Sequence, residues 1–370
     1  MSDDMLLAYL VSSFPGRTED IATEALCHVF RHSDACVEAL GDVVQSGVRD
    51  IDPIDTVKTQ VIGRDGTRPD LVCFDETGRE RVLIEVKFWA GLTANQPNSY
   101  IKRLPEDSPA VVMFLVPEDR VRSLWPQLRE RLRRKFGLDE EIDAERRCVR
   151  ITGSQRHLMV VSWGSLLDAM AARSSDSDEP GPVTQIRQLR SLARYADKGA
   201  FKPIPPGRES GTDSEMRLRQ YRRLVDAATE EGINQGWADR KGLRATPKPY
   251  GYGRYIRLHG AVVWFGINTD LFETTGETPL WVGRHQSYAD EPEVSRELSE
   301  EDQNWYRRHS RHWFPIDLMR DAEYPQVLAG VVDSLKRYGD ALQEARRAVE
   351  HRASGSTVRV AASAKATEAH

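Results

Sequence analysis

The stretch RPDLVCFDETGRERVLIEVK, residues 68–87, decides how the first part of this chain folds. Two runs rich in β-branched and aromatic residues flank a short polar segment with a glycine, which is the pattern of a β-hairpin. If the turn is centred between Thr77 and Gly78, the numbers of paired residues sum to 155. Asp70 then lies directly opposite Glu85. A two-residue or four-residue loop gives this pairing, whereas a loop with an odd number of residues shifts it by one.

Directly opposed residues project from the same face of a sheet, with their Cβ atoms about 5 Å apart. Lys87 follows Glu85 by two residues and therefore shares its face, while Ile84, Val86 and Phe88 point into the core. Two carboxylates at this spacing repel each other unless a cation lies between them, and Mg²⁺ prefers such oxygen ligands. The hairpin thus predicts a metal site with an ammonium group beside it, suited to binding a phosphate and activating a water.

Two further features flank the hairpin. A helix is predicted over Thr18–Phe30, with its apolar residues on one face, and it carries the acids Glu19 and Glu24. After the hairpin, Gln96-Pro97-Asn98-Ser99-Tyr100 begins another helix, since proline is well suited to the first helical position.

Together these features resemble the PD-(D/E)XK nuclease superfamily, in the branch that carries a Gln-x-x-x-Tyr motif. Pro69-Asp70 followed by Glu85-Val86-Lys87 carries the resemblance. It implies that Asp70, Glu85 and the Val86 carbonyl bind Mg²⁺ or Mn²⁺. It also implies that Lys87 orients or deprotonates the attacking water.

The same resemblance implies roles for the flanking residues. Gln96 and Tyr100 would bracket the site and contact the nucleic-acid backbone. Glu24 would be the accessory acid on the first helix, with Glu19 as the alternative because it lies on the same helix.

Residues 120–135 form a strongly basic segment with seven positive residues and one acid, Glu130. Two interpretations remain open: a solvated helix face, or a phosphate-binding surface beside the metal site. Under the second, Arg131 and Arg134 are substrate-binding residues.

Structural explanations also remain open for the central residues. Asp70 could simply follow Pro69 in a turn, and Glu85 with Lys87 could be a solvated strand face. Gln96 could cap the helix that begins at Pro97, and Tyr100 could be a half-buried core residue.

The wider pattern predicts an α/β fold with a mixed sheet flanked by helices, followed by a second α+β domain. The resemblance implies that the mixed sheet is restriction-endonuclease-like. In the first domain, strands are predicted over 57–62, 70–75, 81–88, 110–116 and 157–162, and helices over 97–104, 120–136 and 164–172. We expect a nuclease-like domain at 1–173, a linker with a basic helix at 174–213, an aromatic-rich domain at 214–350 and a disordered tail at 351–370.

The second domain holds five of the eight tryptophans: Trp237, Trp264, Trp281, Trp305 and Trp313. These side chains could fill a sheet core, or they could recognise bases or a small ligand together with arginines. The cluster of Arg217, Arg219, Arg222 and Arg223 has the same two interpretations as the basic segment of the first domain.

Composition limits the class of protein. The net charge is −5, so a nucleic-acid surface must be a local patch. No apolar run approaches the ~20 residues that span a bilayer, and no glycine-rich phosphate loop or G-x-S-x-G elbow occurs. Four cysteines without a C-x-x-C pair are typical of a reducing cytoplasm. We therefore expect a cytoplasmic protein without membrane partners.

With this resemblance, the sequence predicts a metal-dependent nuclease that acts on DNA, either in bacterial antiphage defence or restriction, or in DNA repair. A homodimer or a partner protein of a defence system would fit this role. The alternatives are a non-catalytic nucleic-acid-binding or sensor protein with a nuclease-like core, and an RNA-directed nuclease.

Overall fold

The computed structural model describes residues 6–14, 16–139, 147–175, 182–198, 200–204, 214–243, 245–248, 251–285, 294, 298, 306–308 and 311–367. The chain divides into two compact units, Met1–Pro203 and Ile204–His370. No helix in these ranges combines the length and the apolar character needed to cross a bilayer.

The first unit is an α/β structure built on a mixed sheet. Its elements are α1 (Leu6–Ser13), α2 (Thr18–His32), α3 (Asp34–Gln45), β1 (Thr56–Thr59), β2 (Leu71–Phe74), β3 (Glu80–Val86), α4 (Asn98–Arg103), β4 (Ala110–Val116), α5 (Glu118–Arg133), β5 (Cys148–Arg150), β6 (Arg156–Ser162), α6 (Trp163–Ser175) and α7 (Pro182–Asp197). The strand order is β1-β2-β3-β4-β6-β5. Strand β4 pairs in parallel with β3 and β6, and the other pairs are antiparallel. The predicted mixed sheet is thus confirmed, and β5 is a strand that the sequence did not predict.

Helices cover both faces of this sheet. One face, which includes Ile84, Val86 and Phe88, packs against α2, α3, α6 and α7 in one hydrophobic cluster. The opposite face, which includes Leu83 and Phe114, packs against α4 and α5 in another. The predicted direction of the β3 side chains is therefore confirmed, and Glu85 projects toward the face covered by α4.

The predicted register of the β2–β3 hairpin is confirmed, but its turn differs from the prediction. Leu71 pairs with Ile84 and Cys73 with Val82, so the residue numbers sum to 155, whereas Phe74 pairs with Glu80. The N–H of Asp75 donates to the carbonyl of Arg79 at 3.0 Å, which closes a loop of odd length around Gly78 with φ +78°. A bulge at Arg81 then adds one residue, and it restores the register that the odd loop shifts.

Ionic contacts of a buried arginine hold the bulge. The Arg81 side chain is buried, and its guanidinium contacts Asp75 at 2.7 Å, Asp52 at 2.5 Å and the hydroxyl of Ser108 at 2.6 Å. Asp75 also accepts hydrogen bonds from the N–H groups of Thr77 and Arg79, each at 2.9 Å. These contacts fix the end of the hairpin that lies away from Asp70.

The first unit extends beyond the boundary expected at residue 173. Helix α7 falls in the segment expected to be a linker, yet Ile186, Leu189 and Leu192 are buried in the same hydrophobic cluster as α2 and α6. Arg190 of α7 also pairs with Asp168 of α6 at 2.6 Å. The basic helix is therefore part of the first unit.

The second unit combines an antiparallel sheet with helices. Its elements are α8 (Ser214–Asn234), β7 (Ala238–Asp239), β8 (Ala245–Lys248), β9 (Gly251–Leu258), β10 (Ala261–Ile267), α9 (Thr269–Thr275), β11 (Leu280–His285), β12 (Tyr306–Arg308), β13 (Arg311–Ile316) and α10 (Tyr324–Thr367). The strand order is β12-β13-β11-β10-β9-β7, and β8 also pairs with β9. Helix α10 continues to Thr367 where a disordered tail was expected from residue 351, and residues 368–370 lie outside the described ranges.

Tryptophans form the core on one face of this second sheet. Trp264, Trp281 and Trp313 are fully buried and pack with Leu271 of α9. Gly283 lies beneath Trp313, where a Cβ atom would approach the indole ring to 2.5 Å. The core interpretation is thus confirmed for these three tryptophans, and Trp305 lies outside the described residues.

Candidate active site

Asp70 lies one residue before β2, with its carboxylate directed at the end of β3. Its Oδ2 accepts a hydrogen bond from the backbone N–H of Val86 at 2.7 Å. Its carbonyl accepts one from the N–H of Gln60 at 3.0 Å, which anchors the chain at this point. Asp70 therefore reaches across the hairpin to the residue that follows Glu85.

Glu85 is a buried carboxylate with hydrogen-bond donors on both oxygens. Only 5% of the residue is exposed. Oε1 lies 2.5 Å from Nε2 of Gln96 and 3.2 Å from Nζ of Lys87, and Oε2 accepts from the hydroxyl of Tyr100 at 2.9 Å. The solvated-face explanation is therefore wrong for this strand end.

Lys87 lies between two carboxylates. Its Nζ is 3.2 Å from Oε1 of Glu85 and 3.5 Å from Oε2 of Glu19. The other oxygen of Glu19 accepts from the backbone N–H of Phe88 at 2.9 Å. The first turn of α2 is thus fixed against the end of β3.

The structure corrects the choice of acid on α2. Glu19 contacts Lys87, whereas Glu24 is exposed on the same helix. Five residues of α-helix turn a side chain by about 140°, so these two acids cannot serve the same site. The sequence predicted the helix correctly, but it did not predict which helical turn contacts β3.

Gln96 and Tyr100 act on Glu85 rather than lining an open surface. Both are buried, with 4% and 7% of the residue exposed. Oε1 of Gln96 accepts from the N–H of Thr93 at 3.1 Å, which orients its amide toward Glu85. The peptide bond between Gln96 and Pro97 is cis. The two residues support the carboxylate, and their predicted contact with nucleic acid stays a prediction.

The two arginines predicted to bind substrate lie in different surroundings. The guanidinium of Arg131 donates to the carbonyls of Thr93 and Gln96, the latter at 3.1 Å, so it holds the turn that carries Gln96. Arg134 is exposed and pairs with Glu130 of the same helix at 3.2 Å. The structure brings Arg131 to the supporting loop and leaves Arg134 on the surface.

A third arginine of α5 was missed at the sequence level. Arg120 is fully buried, and its guanidinium donates to the carbonyls of Phe88 at 2.8 Å and Ala90 at 2.7 Å. It therefore fixes the backbone directly after Lys87. Its position within a basic run gave no signal that it points inward.

Burial and like charge set the protonation of the site. Burial, followed by the charge of Glu85, raises the pKa of Asp70 to about 7, although the Val86 N–H and Lys87 oppose this. Burial also raises the pKa of Glu85. Burial alone would lower the pKa of Lys87, but the charges of Glu19 and Glu85 outweigh it and raise that pKa. Lys87 is therefore held as an ammonium group.

The donor set of the site fits a hard divalent cation. In the described ranges no group of three or more His, Cys, Asp and Glu side chains converges, so the donors here are the carboxylates of Asp70 and Glu85 with nearby backbone. Oδ2 of Asp70 accepts one hydrogen bond and Oε2 of Glu85 accepts one, which leaves each with an unused lone pair. Burial raises the pKa of Asp70 most, and the charge of Glu85 adds to this; a divalent cation bound between the two carboxylates would relieve that repulsion.

No family model matches this chain, and no curated protein or solved structure matches it. The candidate site is therefore supported by the geometry of its own residues.

Proposed function

We propose that this chain is a metal-dependent nuclease that hydrolyses phosphodiester bonds in DNA. The observation that supports this most directly is the convergence of Asp70, Glu85 and Lys87 at the end of β3. Buried acids with an adjacent ammonium group are costly to keep together, and such arrangements cluster at functional sites.

Asp70 and Glu85 would hold Mg²⁺ or Mn²⁺, and the resemblance adds the carbonyl of Val86 as a backbone ligand. Such a metal would supply Lewis-acid chemistry, polarising the phosphate and making a water more acidic. The side chains around the metal site would perform the other roles in the reaction.

Lys87 supplies the positive charge of the site. Its amine lies between Glu85 and Glu19, where it would attract the phosphate, stabilise developing negative charge and orient the attacking water. Glu19 limits where the ammonium group can lie. Gln96 and Tyr100 fix both oxygens of Glu85, so this carboxylate does not rotate away during turnover.

The proposed setting follows from the same resemblance. A nuclease of this kind would serve bacterial antiphage defence or restriction in the cytoplasm, as a homodimer or with a partner protein of a defence system.

The test compares variants that preserve side-chain shape. Purified chain is incubated with supercoiled, linear duplex and single-stranded DNA and with RNA, in Mg²⁺, Mn²⁺ or EDTA. We expect metal-dependent cleavage of DNA that is lost in Asp70→Asn and Glu85→Gln. Glu24→Gln is the matched control, because it removes an exposed acid from α2 and should cleave normally.

Other outcomes assign other functions. Cleavage of RNA alone indicates an RNA-directed nuclease. Binding of nucleic acid without cleavage under every condition indicates a non-catalytic binding protein. Unchanged cleavage by both Asp70→Asn and Glu85→Gln would place the chemistry elsewhere.

A further inference from the structure

Two adjacent arginines of α8 lie over tyrosine rings in the second unit. The Arg222 guanidinium carbon is 5.1 Å from the ring centroid of Tyr252 in β9, and that of Arg223 is 4.5 Å from the ring centroid of Tyr324 at the start of α10. Both arginines are exposed. An aromatic face beneath a guanidinium limits its motion and leaves its N–H edge accessible.

These two arginines differ from their neighbours in having no acidic partner among the described residues. Arg219 pairs with Glu215, and Arg254 pairs with Asp226, each at 2.5 Å. Arg217 of the same cluster is buried. The uncompensated positive charge on this part of α8 is therefore that of Arg222 and Arg223.

Helix α8 and the ring beneath Arg222 are held in place by their surroundings. Leu224, Val225 and Ala228 are fully buried, so α8 is packed firmly onto the unit. The Tyr252 hydroxyl donates to Asp226 at 2.8 Å, and Arg254 donates to the same carboxylate. A binding group that is already ordered loses less conformational entropy when a ligand arrives.

We propose that Arg222 and Arg223 form a contact surface for the phosphate backbone of nucleic acid. The planar guanidinium matches a phosphate in bidentate geometry, so each of the two arginines can contact one phosphate. This rests on the proposed function, and it assigns substrate binding to the second unit. The proposed binding residues and the proposed catalytic residues then belong to different units of the chain.

The experiment measures DNA binding by the full chain in EDTA, so that cleavage plays no part. Fluorescence anisotropy with labelled duplex and single-stranded DNA gives Kd between 50 and 200 mM salt. Each neutralised phosphate contributes about 0.9 to the slope of log K against log salt for duplex DNA and about 0.7 for single strands. The double variant Arg222→Gln/Arg223→Gln should therefore bind about tenfold more weakly, with a slope lower by about 1.8 or 1.4.

The matched control removes the same charge from arginines that have acidic partners. Arg240 pairs with Glu230, and Arg257 contacts Asp239 at 3.5 Å. Arg240→Gln/Arg257→Gln should keep the wild-type affinity and slope. Arg222→Lys/Arg223→Lys should keep most of the slope but lose affinity, since lysine retains the charge without the planar fork.

Three results would overturn the proposal: no nucleic-acid binding by the wild type, unchanged binding by Arg222→Gln/Arg223→Gln, or equal competition by polyglutamate, which would indicate an acidic protein partner. The outcomes also separate this surface from the nuclease. If the wild type cleaves DNA and the double variant binds DNA normally, the nuclease proposal stands and the proposed contact surface is wrong. If DNA binding depends on Arg222 and Arg223 but the chain never cleaves DNA, the contact surface stands and the nuclease proposal is wrong.

Discussion

The hydroxyl of Tyr100 donates to Oε2 of Glu85 at 2.9 Å, so this tyrosine supports a buried carboxylate of the candidate site. Tyr100→Phe should preserve the packing of the ring and remove this one donor. A hydrogen bond to a charged group contributes about 1.5–3 kcal/mol, so we expect a comparable loss in the free energy of unfolding and weaker Mn²⁺ binding. Urea denaturation and Mn²⁺ titration measure the two effects. Tyr195→Phe, on the exposed surface of α7, should change neither.

Lys87 and Glu19 should differ in the size of their effect on cleavage. Lys87→Met removes the ammonium group and should lower kcat by about 100-fold, within the range seen when one charge-stabilising donor is lost. Glu19→Gln leaves the ammonium group but weakens its placement, so a loss of about tenfold is expected. Single-turnover cleavage measures both variants, and Glu24→Gln supplies the control. If Glu24→Gln were the slower acid variant, the assignment of Glu19 would be wrong.

Metal binding should depend on pH through Asp70. Its pKa is raised to about 7, so the carboxyl is largely protonated at pH 6 and ionised at pH 8. Because a cation competes with this proton, Mn²⁺ affinity should rise about fivefold from pH 6 to pH 7 and about tenfold from pH 6 to pH 8, and it should level off above pH 8. Isothermal titration calorimetry across this range measures the effect without any substrate. A flat affinity between pH 6 and 8 would contradict the prediction.

The buried ionic contacts of the hairpin should control its stability in acid. Burial alone would raise the pKa of Asp75, but hydrogen bonds from Thr77, Arg79 and Arg81 outweigh it and hold that pKa well below its usual range. A carboxyl with a depressed folded pKa stabilises the fold above its unfolded pKa of about 3.9, and this stability is lost as the pH falls below that value.

Asp75→Asn tests that dependence. It should lower the free energy of unfolding by about 2–3 kcal/mol at pH 7, and the difference from wild type should shrink below about pH 4. Urea denaturation at several pH values measures this, with Glu76→Gln in the exposed turn as the control. A difference that grows toward acid would give the opposite sign and refute the assignment.

Arg131 should affect catalysis without affecting DNA affinity. Its guanidinium contacts the carbonyls of Thr93 and Gln96, so Arg131→Met should loosen Gln96 and lower kcat by about tenfold. The Kd for DNA in EDTA should remain that of the wild type. Arg134→Gln should alter neither value, because its partner is Glu130 of the same helix. A rise in Kd for Arg131→Met alone would restore the substrate-binding interpretation.

The hairpin shows how far sequence could predict this site. The register that brings Asp70 and Glu85 to the same end follows from two strands and a glycine turn. The route to that register does not, because the loop is odd and a bulge at Arg81 compensates for it. Asp52 and Ser108 contact the residue at that bulge and are distant in sequence. Rules that use only the residues of the turn therefore cannot predict it.

The acids and arginines around the site show a second limit. Helical periodicity identifies the apolar face of α2, but the docking of α2 against β3 decides that Glu19 and not Glu24 meets Lys87. Similarly, the basic run of α5 predicts a charged helix, yet Arg120 is fully buried. Which polar side chain turns inward depends on carbonyl groups that only the folded loop presents.

Helix α5 sets the spacing between the two ends of the loop that follows β3. Arg120 holds the carbonyls of Phe88 and Ala90, and Arg131 holds those of Thr93 and Gln96. Eleven residues of α-helix span about 16 Å and three turns, so both guanidinium groups emerge on the same side. One residue inserted between them would rotate Arg131 by about 100° and release Gln96 with every site residue intact. The length of this stretch of helix is therefore as much a requirement of the site as the identity of its acids.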